Sequence, residues 1–438
     1  MTRASTPVHR PFEEPLLRLE EAVARLLEGV APLPAEETTL AEAAGRVLAA
    51  DVVAEVALPP WDNVAMDGFA VRAGDVASAT VAAPVRLRVA GEVAAGHEPS
   101  AAVEPGTALR VSTGAPLPPG ADAVVPVEET SAWGGARAAT GAVLGSVVEI
   151  HEAVPGGANV RPRGGDVAEG TRVLAAGERL SAGAISLVAA VGRERVAVVR
   201  RPRVAVLATG DELVSPGRPL GPAQIHDSNT AGLLVLAGRA GAEVRSLGIA
   251  PDDLDAVRER LREALGWADI VVASGGVSVG AHDVVKDAFE TFGRLGVWRV
   301  AIQPGKPLAF GRASRGPGAP PGGPVLFFGL PGNPVSSQVT FELFVRPAIR
   351  RLGGHPETGR RLERAVLAEE VEKSHGRRAF LRVRLAEVEG RLVARLAGAQ
   401  GSHVLSALAA ADALAVIPEE QDTLPPGSEV DVWRIEEA

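Results

Sequence analysis

The sequence contains no cysteine, and this absence removes several kinds of chemistry at once. Disulfide bonds, thiolate metal sites and cysteine nucleophiles all need a thiol. The chain also lacks any apolar run close to the roughly 20 residues that a membrane-spanning helix requires. Its N-terminal segment has no basic stretch followed by an apolar core. We therefore expect a cytoplasmic protein that is neither secreted nor embedded in a membrane.

Positive charge is scarce, since 45 Lys and Arg stand against 54 Asp and Glu, for a net charge of −9. A nucleic-acid partner normally requires a basic face, so we expect none. No GxxxxGK[ST] motif is present, which excludes P-loop nucleotide hydrolysis. The eight His are scattered rather than paired at metal-binding spacing. Three basic clusters are interpreted as solvated surface: Arg161 with Arg163; Arg200, Arg201 and Arg203; Arg377, Arg378 and Arg382.

A chain of 438 residues exceeds what one hydrophobic core accommodates. Shifts in hydrophobic pattern predict a discontinuous helical domain at 1–57 and 151–202, interrupted by an inserted β domain at 58–150. An α/β domain follows at 203–352, and a small β-barrel, with a sandwich as the alternative, at 359–438. Residues 15–50 are expected to be largely helical, with Thr39 and Glu42 forming a capping box for a second helix.

The third region alternates strands with helices. RVAVLAT, EVRSLGIA and DIVVASGG are continuous apolar runs, typical of parallel strands buried on both faces. Helices are predicted at 228–240, with Ser228 as N-cap and Gly241 as stop, and at 253–265. This βαβ series predicts an open, mostly parallel sheet, in which ligands bind beyond the carboxyl ends of the strands. The segment 312–324 is interpreted as a flexible hairpin connection.

Three strands of this region end in polar, glycine-rich turns. Glycines let backbone N–H groups approach an anion closely, and hydroxyls add donors. Three such turns at one edge favour a phosphate or pterin site. The candidates are Thr209, Gly210, Asp211 and Glu212; Ser274, Gly275, Gly276, Ser278, Gly280 and Asp283; and Pro331, Gly332, Asn333 and Pro334.

The acidic side chains of these turns would repel a phosphorylated substrate. For Glu212, Asp252, Asp283 and the distant Asp67, we therefore expect a bridging Mg²⁺, with solvated surface acids as the alternative. For Asp252, a helix N-cap is an equally good interpretation. Lys306 lies between two prolines in PGKPLAF, which restrict its backbone and suit it to holding an oxyanion.

These motifs together resemble the MoeA family, which includes the E domain of gephyrin. The matching segments are DNVAMDGFA (62–70), STGAPLP (112–118), RPRGGDV (161–167), ATGDEL, QIHDSN, SGGVSVGAHD, PGKPLAF, GLPGNPVS and GSHVLSALAAADAL (401–414). They follow one another in order over nearly the whole chain. MDGFA combined with GLPGNPVS is highly specific, whereas SGGVSVG alone also occurs in MogA-type and CinA-like proteins.

The resemblance implies a four-domain, L-shaped subunit with a MogA-like α/β domain, and a homodimer whose active sites each use both subunits. It implies insertion of molybdate into adenylylated molybdopterin with release of AMP, in molybdenum cofactor biosynthesis. By position in the motifs, Asp67 and Thr113 would come from the β domain and Asp166 from the discontinuous helical domain, which the resemblance implies to be an elongated dimerisation domain. Glu212, Asp252 and Asp283 would line the α/β site, with Mg²⁺ on Asp283 and Glu212. The residues implied to hold molybdate are Lys306, Pro307, Arg377 and Ser402.

One position departs from the family pattern, because Gln303 stands where several relatives have a second lysine. Arg299 or Arg377 would then supply the missing charge. The resemblance leaves molybdate and tungstate open as substrates, and it implies a MogA-type adenylyltransferase and molybdoenzyme maturation proteins as partners. Two alternative functions remain open: adenylylation of molybdopterin, and non-catalytic binding of molybdopterin as a scaffold.

Overall fold

The computed structural model of the protein describes residues 16–133, 144–275 and 284–435. The chain divides into two compact units, one from Met1–Glu36 with Ala197–Ala438 and the other from Glu37–Val196. Within the described ranges, no helix has the length and apolar character needed to cross a membrane.

A six-stranded sheet forms the centre of the first unit. Its strands are β1 Arg203–Thr209, β2 Glu243–Ala250, β3 Ile270–Ser274, β4 Gly293–Arg299, β5 Pro307–Ala313 and β6 Val325–Leu330. Their order is β2-β1-β3-β6-β5-β4. The pairs from β2 to β6 are parallel and the last two are antiparallel. The prediction of an open, mostly parallel sheet is therefore confirmed.

Helices cover this sheet and bury its apolar strands. They are α1 Asn229–Arg239, α2 Leu254–Leu265, α3 Val284–Phe289, α4 Pro334–Thr340, a π-helical turn Phe341–Val345, and α5 Arg346–Leu352. Val206 and Leu207 of β1 are completely buried, and Leu207 packs with Leu261 of α2 and Phe327 of β6. Burial of both faces explains why these strands read as unbroken apolar runs.

The helix ends differ in detail from the sequence-based expectation. Ser228 occupies the N-cap position of α1, but its side chain makes no capping bond. Asp227 Oδ1 accepts from the Thr230 N–H instead, at 3.1 Å. Asp253 caps α2 by accepting from the Ala256 N–H at 2.9 Å, so the N-cap interpretation of Asp252 is wrong. Gly241 follows the end of α1 with a φ of +102°, as a stop signal requires.

The connection between β5 and β6 is the predicted hairpin, but it is anchored rather than loose. Arg315 donates from Nε to the Gly323 carbonyl at 2.7 Å and from Nη2 to Asp269 Oδ1 at 2.7 Å. Arg200 also binds Asp269, and both arginine side chains are largely buried. The interpretation of the Arg200 cluster as solvated surface is therefore wrong for Arg200.

A closed ring of five strands forms the C-terminal barrel. The strands are Glu363–Leu367, Arg378–Val388, Arg391–Leu396, Ala413–Ile417 and Glu429–Arg434. Pairing of Arg378–Val388 with Ala413–Ile417 closes the ring around a core that includes Val383, Ala394 and Val432. The alternative of a sandwich is therefore wrong. The remaining elements of this region are strands Ile302–Gln303, Val371–Glu372 and Thr423–Leu424 and helix Leu405–Ala409.

The second unit contains a five-stranded sheet with an apolar cluster on each face. In spatial order its strands are Ala123–Pro126, Gly68–Val71, Thr107–Val111, Val85–Val93 and Val147–Ile150. Two short ladders pair Val52–Val53 with Arg172–Leu174 and Asn63–Val64 with Val160–Arg161. Its helices are Leu40–Ala43, Ala73–Val76 and Ala182–Ala190, with a 3₁₀ turn at Val127–Glu129.

The expectation that residues 15–50 are largely helical is wrong in its extent. Helix Leu19–Leu27 is followed by strand Ala35–Thr39, and the second helix spans only Leu40–Ala43. Pro32 and Pro34 interrupt the segment, because proline lacks the N–H that a helix interior needs. The capping box is only half formed, because the Glu42 carboxylate accepts from the Thr39 backbone N–H, whereas the Thr39 hydroxyl donates to that carboxylate at 3.2 Å and caps no backbone N–H. Strand Arg195–Val199 ends the helical region before β1.

Candidate active site

The carboxyl ends of three adjacent parallel strands bring their turns together. Ala208 of β1 pairs in register with Ser274 of β3, and Ser274 pairs with Leu330 of β6. The turns that follow these residues therefore meet at one edge of the sheet. The turn after β3 needs glycine at its contact point, because Gly275 has a φ of +90° and a Cβ there would lie 2.6 Å from the Thr209 carbonyl oxygen. Gly332 packs against Gly275 from the third turn.

Asn229, the first residue of α1, links two of these turns. Its Nδ2 donates to Ser274 Oγ and to the Gly332 carbonyl, each at 2.8 Å. Sequence reasoning quoted the motif QIHDSN but assigned Asn229 no role. The available signal was an amide side chain at a helix start directly after a predicted loop.

Unpaired polar atoms accumulate at the same edge. Within the described residues, Thr209 Oγ1, Asn229 Oδ1 and Thr230 Oγ1 are buried without a hydrogen-bond partner. Buried polar atoms are normally satisfied, and leaving one unsatisfied costs about 1–3 kcal/mol. This edge therefore has unused hydrogen-bonding capacity, as expected for a site that binds a polar ligand or ordered water.

The acids near this edge belong to two neighbouring strand ends. Gly210 adopts a φ of +144°, and a Cβ there would collide with the Glu212 carboxylate. Asp211 Oδ1 accepts from the Asp252 backbone N–H at 3.2 Å, which joins the turn after β1 to the turn after β2. Within the described residues, no group of three acidic or histidine side chains is placed to hold a metal ion. Gly276, Ser278, Gly280 and Asp283 lie outside the described residues.

Lys306 lies in a tightly packed turn with two other cations. Gly305 has a φ of +103°, and a Cβ there would collide with Thr340 of α4. Burial, and then the positive charges of Arg299 and Arg377, lower the pKa of Lys306. The structure thus brings Lys306 and Arg377 close enough to interact, and a bound anion would relieve their mutual repulsion. Pro307 begins β5 directly after Lys306.

Gln303 has a structural partner of its own. Its Oε1 accepts from the Ser374 backbone N–H at 3.2 Å. Ile302–Gln303 also pairs in parallel with Arg378–Ala379 of the barrel. The amide at this position therefore helps to join the Lys306 turn to the barrel, which a lysine could not do by accepting a hydrogen bond.

Ser402 reaches the edge of the sheet through its backbone. Its carbonyl accepts from the Val335 N–H at 3.1 Å, beside Asn333 and Pro334 at the start of α4. Arg382 supports the preceding loop by donating from Nη2 to the carbonyls of Ala399 and Gly401, at 3.2 and 3.1 Å.

Arg382 is fully buried, and burial lowers its pKa. No carboxylate in the described ranges forms an ion pair with it. The interpretation of Arg382 as surface is therefore wrong. It is also wrong for Arg378, whose side chain is 21% exposed and forms ion pairs with Glu20 and Glu419.

Two predicted residues of the β domain also lie together. Asp67 Oδ1 accepts from the Thr113 N–H at 2.7 Å and from the Thr113 hydroxyl at 2.9 Å. These two bonds, the backbone one first, lower the pKa of Asp67, and Arg110 adds to the effect. Asp67 is thus an ionised, firmly oriented carboxylate. Asp166 donates its backbone N–H to the Leu58 carbonyl at 2.9 Å. No hydrogen bond in the described ranges joins Asp166 to Asp67 or Thr113.

Three family models match consecutive parts of the chain. They describe the MoeA N-terminal region (domain I and II) over residues 17–192, a probable molybdopterin binding domain over 205–351, and the MoeA C-terminal region (domain IV) over 364–435.

Curated relatives and solved structures agree with these models. Molybdopterin molybdenumtransferase 2 of Mycobacterium tuberculosis is 40% identical over 94% of this chain and 98% of its own length. Molybdopterin molybdenumtransferase of Haemophilus influenzae is 34% identical over 95% and 98%. A crystal structure of a molybdopterin biosynthesis MoeA protein from Pyrococcus horikoshii has a TM-score of 0.78 at 33% identity, covering 97% of this chain and 100% of that one. The chain is an enzyme that belongs to the MoeA family of molybdopterin molybdenumtransferases.

Proposed function

We propose that this enzyme inserts molybdate into adenylylated molybdopterin and releases AMP. The observation that carries the proposal is the convergence of two kinds of site on α4. The turn of Gly332, which packs against Gly275, leads into the start of α4, and the Lys306 turn packs on Thr340 at the end of the same helix. One set of groups suits a phosphate, the other an oxyanion.

The pterin phosphate would lie on the turns that follow β1, β3 and β6. Ser274 and the backbone around Gly275 and Gly332 would bind its oxygens. Further contacts would come from Thr209, Gly210, Asn333 and Pro334, and from Gly276 and Ser278 beyond the described residues. Asp252 would orient the turn after β2 beside Asp211. These groups bind and position the substrate without forming a covalent intermediate.

Molybdate, as the second substrate, would be held by Lys306, Arg377 and Ser402, with Pro307 restricting the turn. Burial, then the charge of Arg299 and then that of Arg377 lower the pKa of Lys306, so Lys306 and Arg377 are like charges that repel each other. A dianion bound between them replaces this repulsion by two attractions, so the charges stabilise the bound oxyanion before any reaction occurs. Electrostatic preorganisation of this kind is commonly the largest contribution to catalysis.

The described residues are compatible with Mg²⁺ but do not form a complete metal cage. Mg²⁺ typically uses one or two protein carboxylates together with substrate phosphates and water. Glu212, folded over Gly210 at the phosphate edge, fits the first requirement, and Asp283 is the second proposed ligand. The ion would neutralise negative charge between these acids and the pyrophosphate of the substrate.

The proposed assembly is a cytoplasmic homodimer in which the partner subunit's Asp67, Thr113 and Asp166 complete each site. It is supported by the firm orientation of Asp67, which Thr113 holds through two hydrogen bonds. After random subunit exchange between equal amounts of inactive Asp67→Ala and inactive Glu212→Ala proteins, about half of the dimers are heterodimers with one intact site each. The mixture should therefore recover about a quarter of the parental activity. No recovery after verified exchange would contradict a shared site. The proposed protein partners are a MogA-type adenylyltransferase and molybdoenzyme maturation proteins.

The experiment for the reaction is AMP release from adenylylated molybdopterin with and without molybdate. We expect release with Mg²⁺ and molybdate, loss of release in EDTA, and a parallel titration with tungstate that ranks the two oxyanions. Consumption of ATP with unmodified molybdopterin would instead show an adenylyltransferase. Binding of the pterin without turnover under all these conditions would leave a scaffold as the function.

A further inference from the structure

We infer that Asn229 is a positioning residue in the phosphate-binding turns. It makes the Ser274 hydroxyl a hydrogen-bond donor to the phosphate and keeps the Gly332 carbonyl turned away from it. The inference rests on the proposed function, because it concerns how the same edge of the sheet recognises the phosphate of the pterin. Asn229 was not among the site residues predicted from the sequence motifs.

The orientation of the Asn229 side chain follows from the chemistry of its partners. A backbone carbonyl such as that of Gly332 can only accept, so the Asn229 atom that faces it at 2.8 Å must be the NH₂ group. The second hydrogen of the same group points to Ser274 Oγ at 2.8 Å. Both donors of the amide are therefore used, and its orientation is defined.

This arrangement decides what Ser274 does with its own proton. Ser274 Oγ accepts from Asn229, so its hydroxyl hydrogen is directed to another acceptor. Ser274 is almost completely buried at the end of β3, and no acceptor for this hydrogen is found within the described ranges. An oxygen of a bound phosphate is an acceptor of the required kind, so Ser274 becomes a donor to the substrate.

The same amide keeps the Gly332 carbonyl away from the phosphate. A carbonyl oxygen that faced an anion would repel it, and glycine-rich turns are free to rotate a peptide in that direction. The bond from Asn229 holds the Gly332 carbonyl toward α1. Asn229 thus leaves the Ser274 hydroxyl free to donate to the phosphate and prevents the Gly332 carbonyl from facing it.

Replacing Asn229 by aspartate tests both effects with almost no change of shape. A carboxylate cannot donate to the Gly332 carbonyl, and it would accept the Ser274 hydrogen, which removes the donor from the ligand. The probes are an oxidised, fluorescent molybdopterin derivative that keeps its phosphate, and the same compound after phosphatase treatment. Affinities for both are measured by fluorescence titration.

We expect the parent to bind the phosphorylated probe more tightly than the dephosphorylated one. In Asn229→Asp the ratio of these two affinities should fall at least tenfold. Affinity for the dephosphorylated probe should change less than about threefold, since the pterin contacts are kept. Ser274→Ala should lower the preference as well, and the double variant should add little to either single change. Ser228→Ala is the matched control, because Ser228 lies at the same helix end and its side chain makes no capping bond.

Equal loss of affinity for both probes would show that Asn229 only supports the fold, and an unchanged ratio would show that it does not act on the phosphate. Either result overturns the inference while the proposed function stands. A parent that binds neither probe, or binds both equally, would overturn the proposed phosphate site together with the inference. If Asn229→Asp does not fold, Asn229→Ala removes the same two donors without adding charge and should show the same loss of preference.

Discussion

The two ends of the central sheet use polar groups in opposite ways. At the amino end of β3, the Asp269 carboxylate is 1% exposed and accepts from Arg200, Arg315 and the Arg203 backbone N–H. At the carboxyl end of the neighbouring β1, Thr209 is also buried, yet its hydroxyl has no partner within the described residues. At the amino end both oxygens of the Asp269 carboxylate are paired in a network that stabilises the fold, although Arg200 Nε is buried without a partner among the described residues. At the carboxyl end three such atoms lie together, Thr209 Oγ1, Asn229 Oδ1 and Thr230 Oγ1.

The largest effect is expected from breaking the Asp269 network at the amino end. Asp269→Ala would leave the guanidinium groups of Arg200 and Arg315 buried without their counter-charge. Removing one partner of a buried ion pair typically costs about 3–5 kcal/mol. We expect a corresponding loss of stability in denaturant unfolding, with near-normal activity for the protein that remains folded. A stability close to the parental value would contradict the role of Asp269.

Gly275→Ala, at the carboxyl end of the sheet, is expected to lower ligand affinity more than stability. The substitution combines a φ of +90° with a Cβ placed 2.6 Å from the Thr209 carbonyl. Strain and overpacking together amount to about 3 kcal/mol. Because the turns can relax outward in the absence of ligand, we expect a roughly 100-fold loss of pterin affinity and a smaller loss of stability.

Gly248→Ala is the matched control for this change. Gly248 has a φ of +76° but nothing within 4 Å of its Cβ position. It should therefore cost some stability and leave pterin affinity unchanged. An equal loss of affinity in the two variants would mean that backbone strain, rather than the geometry of the site, explains the result.

Replacing Lys306 should weaken molybdate binding through the loss of its charge rather than through a change in the shape of the turn. A charge-assisted hydrogen bond contributes about 1.5–3 kcal/mol, so Lys306→Ala should raise the molybdate requirement by about one to two orders of magnitude. Pterin affinity should stay the same. A molybdate titration of AMP release measures the effect, with exposed Arg294→Ala as control; a parental titration curve would place the oxyanion elsewhere.

The same turn predicts a pH dependence whose sign follows from the lowered pKa of Lys306. Molybdate binding needs the protonated amine, and this amine loses its proton at a lower pH than an ordinary lysine. The molybdate requirement should therefore rise with increasing pH, beginning below the range in which exposed lysines titrate. This rise should be absent in Lys306→Ala.

The smallest effect is expected for Gln303→Lys. The new charge should favour molybdate, and screening should weaken this gain at high salt. However, the change also removes the acceptor for the Ser374 N–H, at a cost of about 1 kcal/mol. We expect a few-fold decrease in the molybdate requirement together with a lower melting temperature. A gain that does not depend on ionic strength would rule out the electrostatic explanation.

The two ends of the sheet were not equally accessible to sequence reasoning. The strand ends at Thr209, Ser274 and Leu330 were predictable, because apolar runs and glycine-rich turns are local patterns. The Asp269 network was not, because its members are separated by up to 69 positions and each looks like a surface charge in isolation. Arg382 was missed because its partners are backbone carbonyls of a loop, at Ala399 and Gly401, and a backbone carbonyl carries no sequence signal.

The amino-acid sequence by itself determined the order of elements in the α/β domain, the meeting of the glycine-rich turns at one edge of the sheet, and the family. These rest on periodicity, on residues that permit positive φ, and on long ordered motifs. Tertiary structure alone decided which polar groups are satisfied: that Asp253 rather than Asp252 caps α2, that Arg382 is buried, and that Asn229 links two turns. The physical reason is that hydrogen-bond satisfaction depends on contacts between distant segments, which become defined only when the backbone packs.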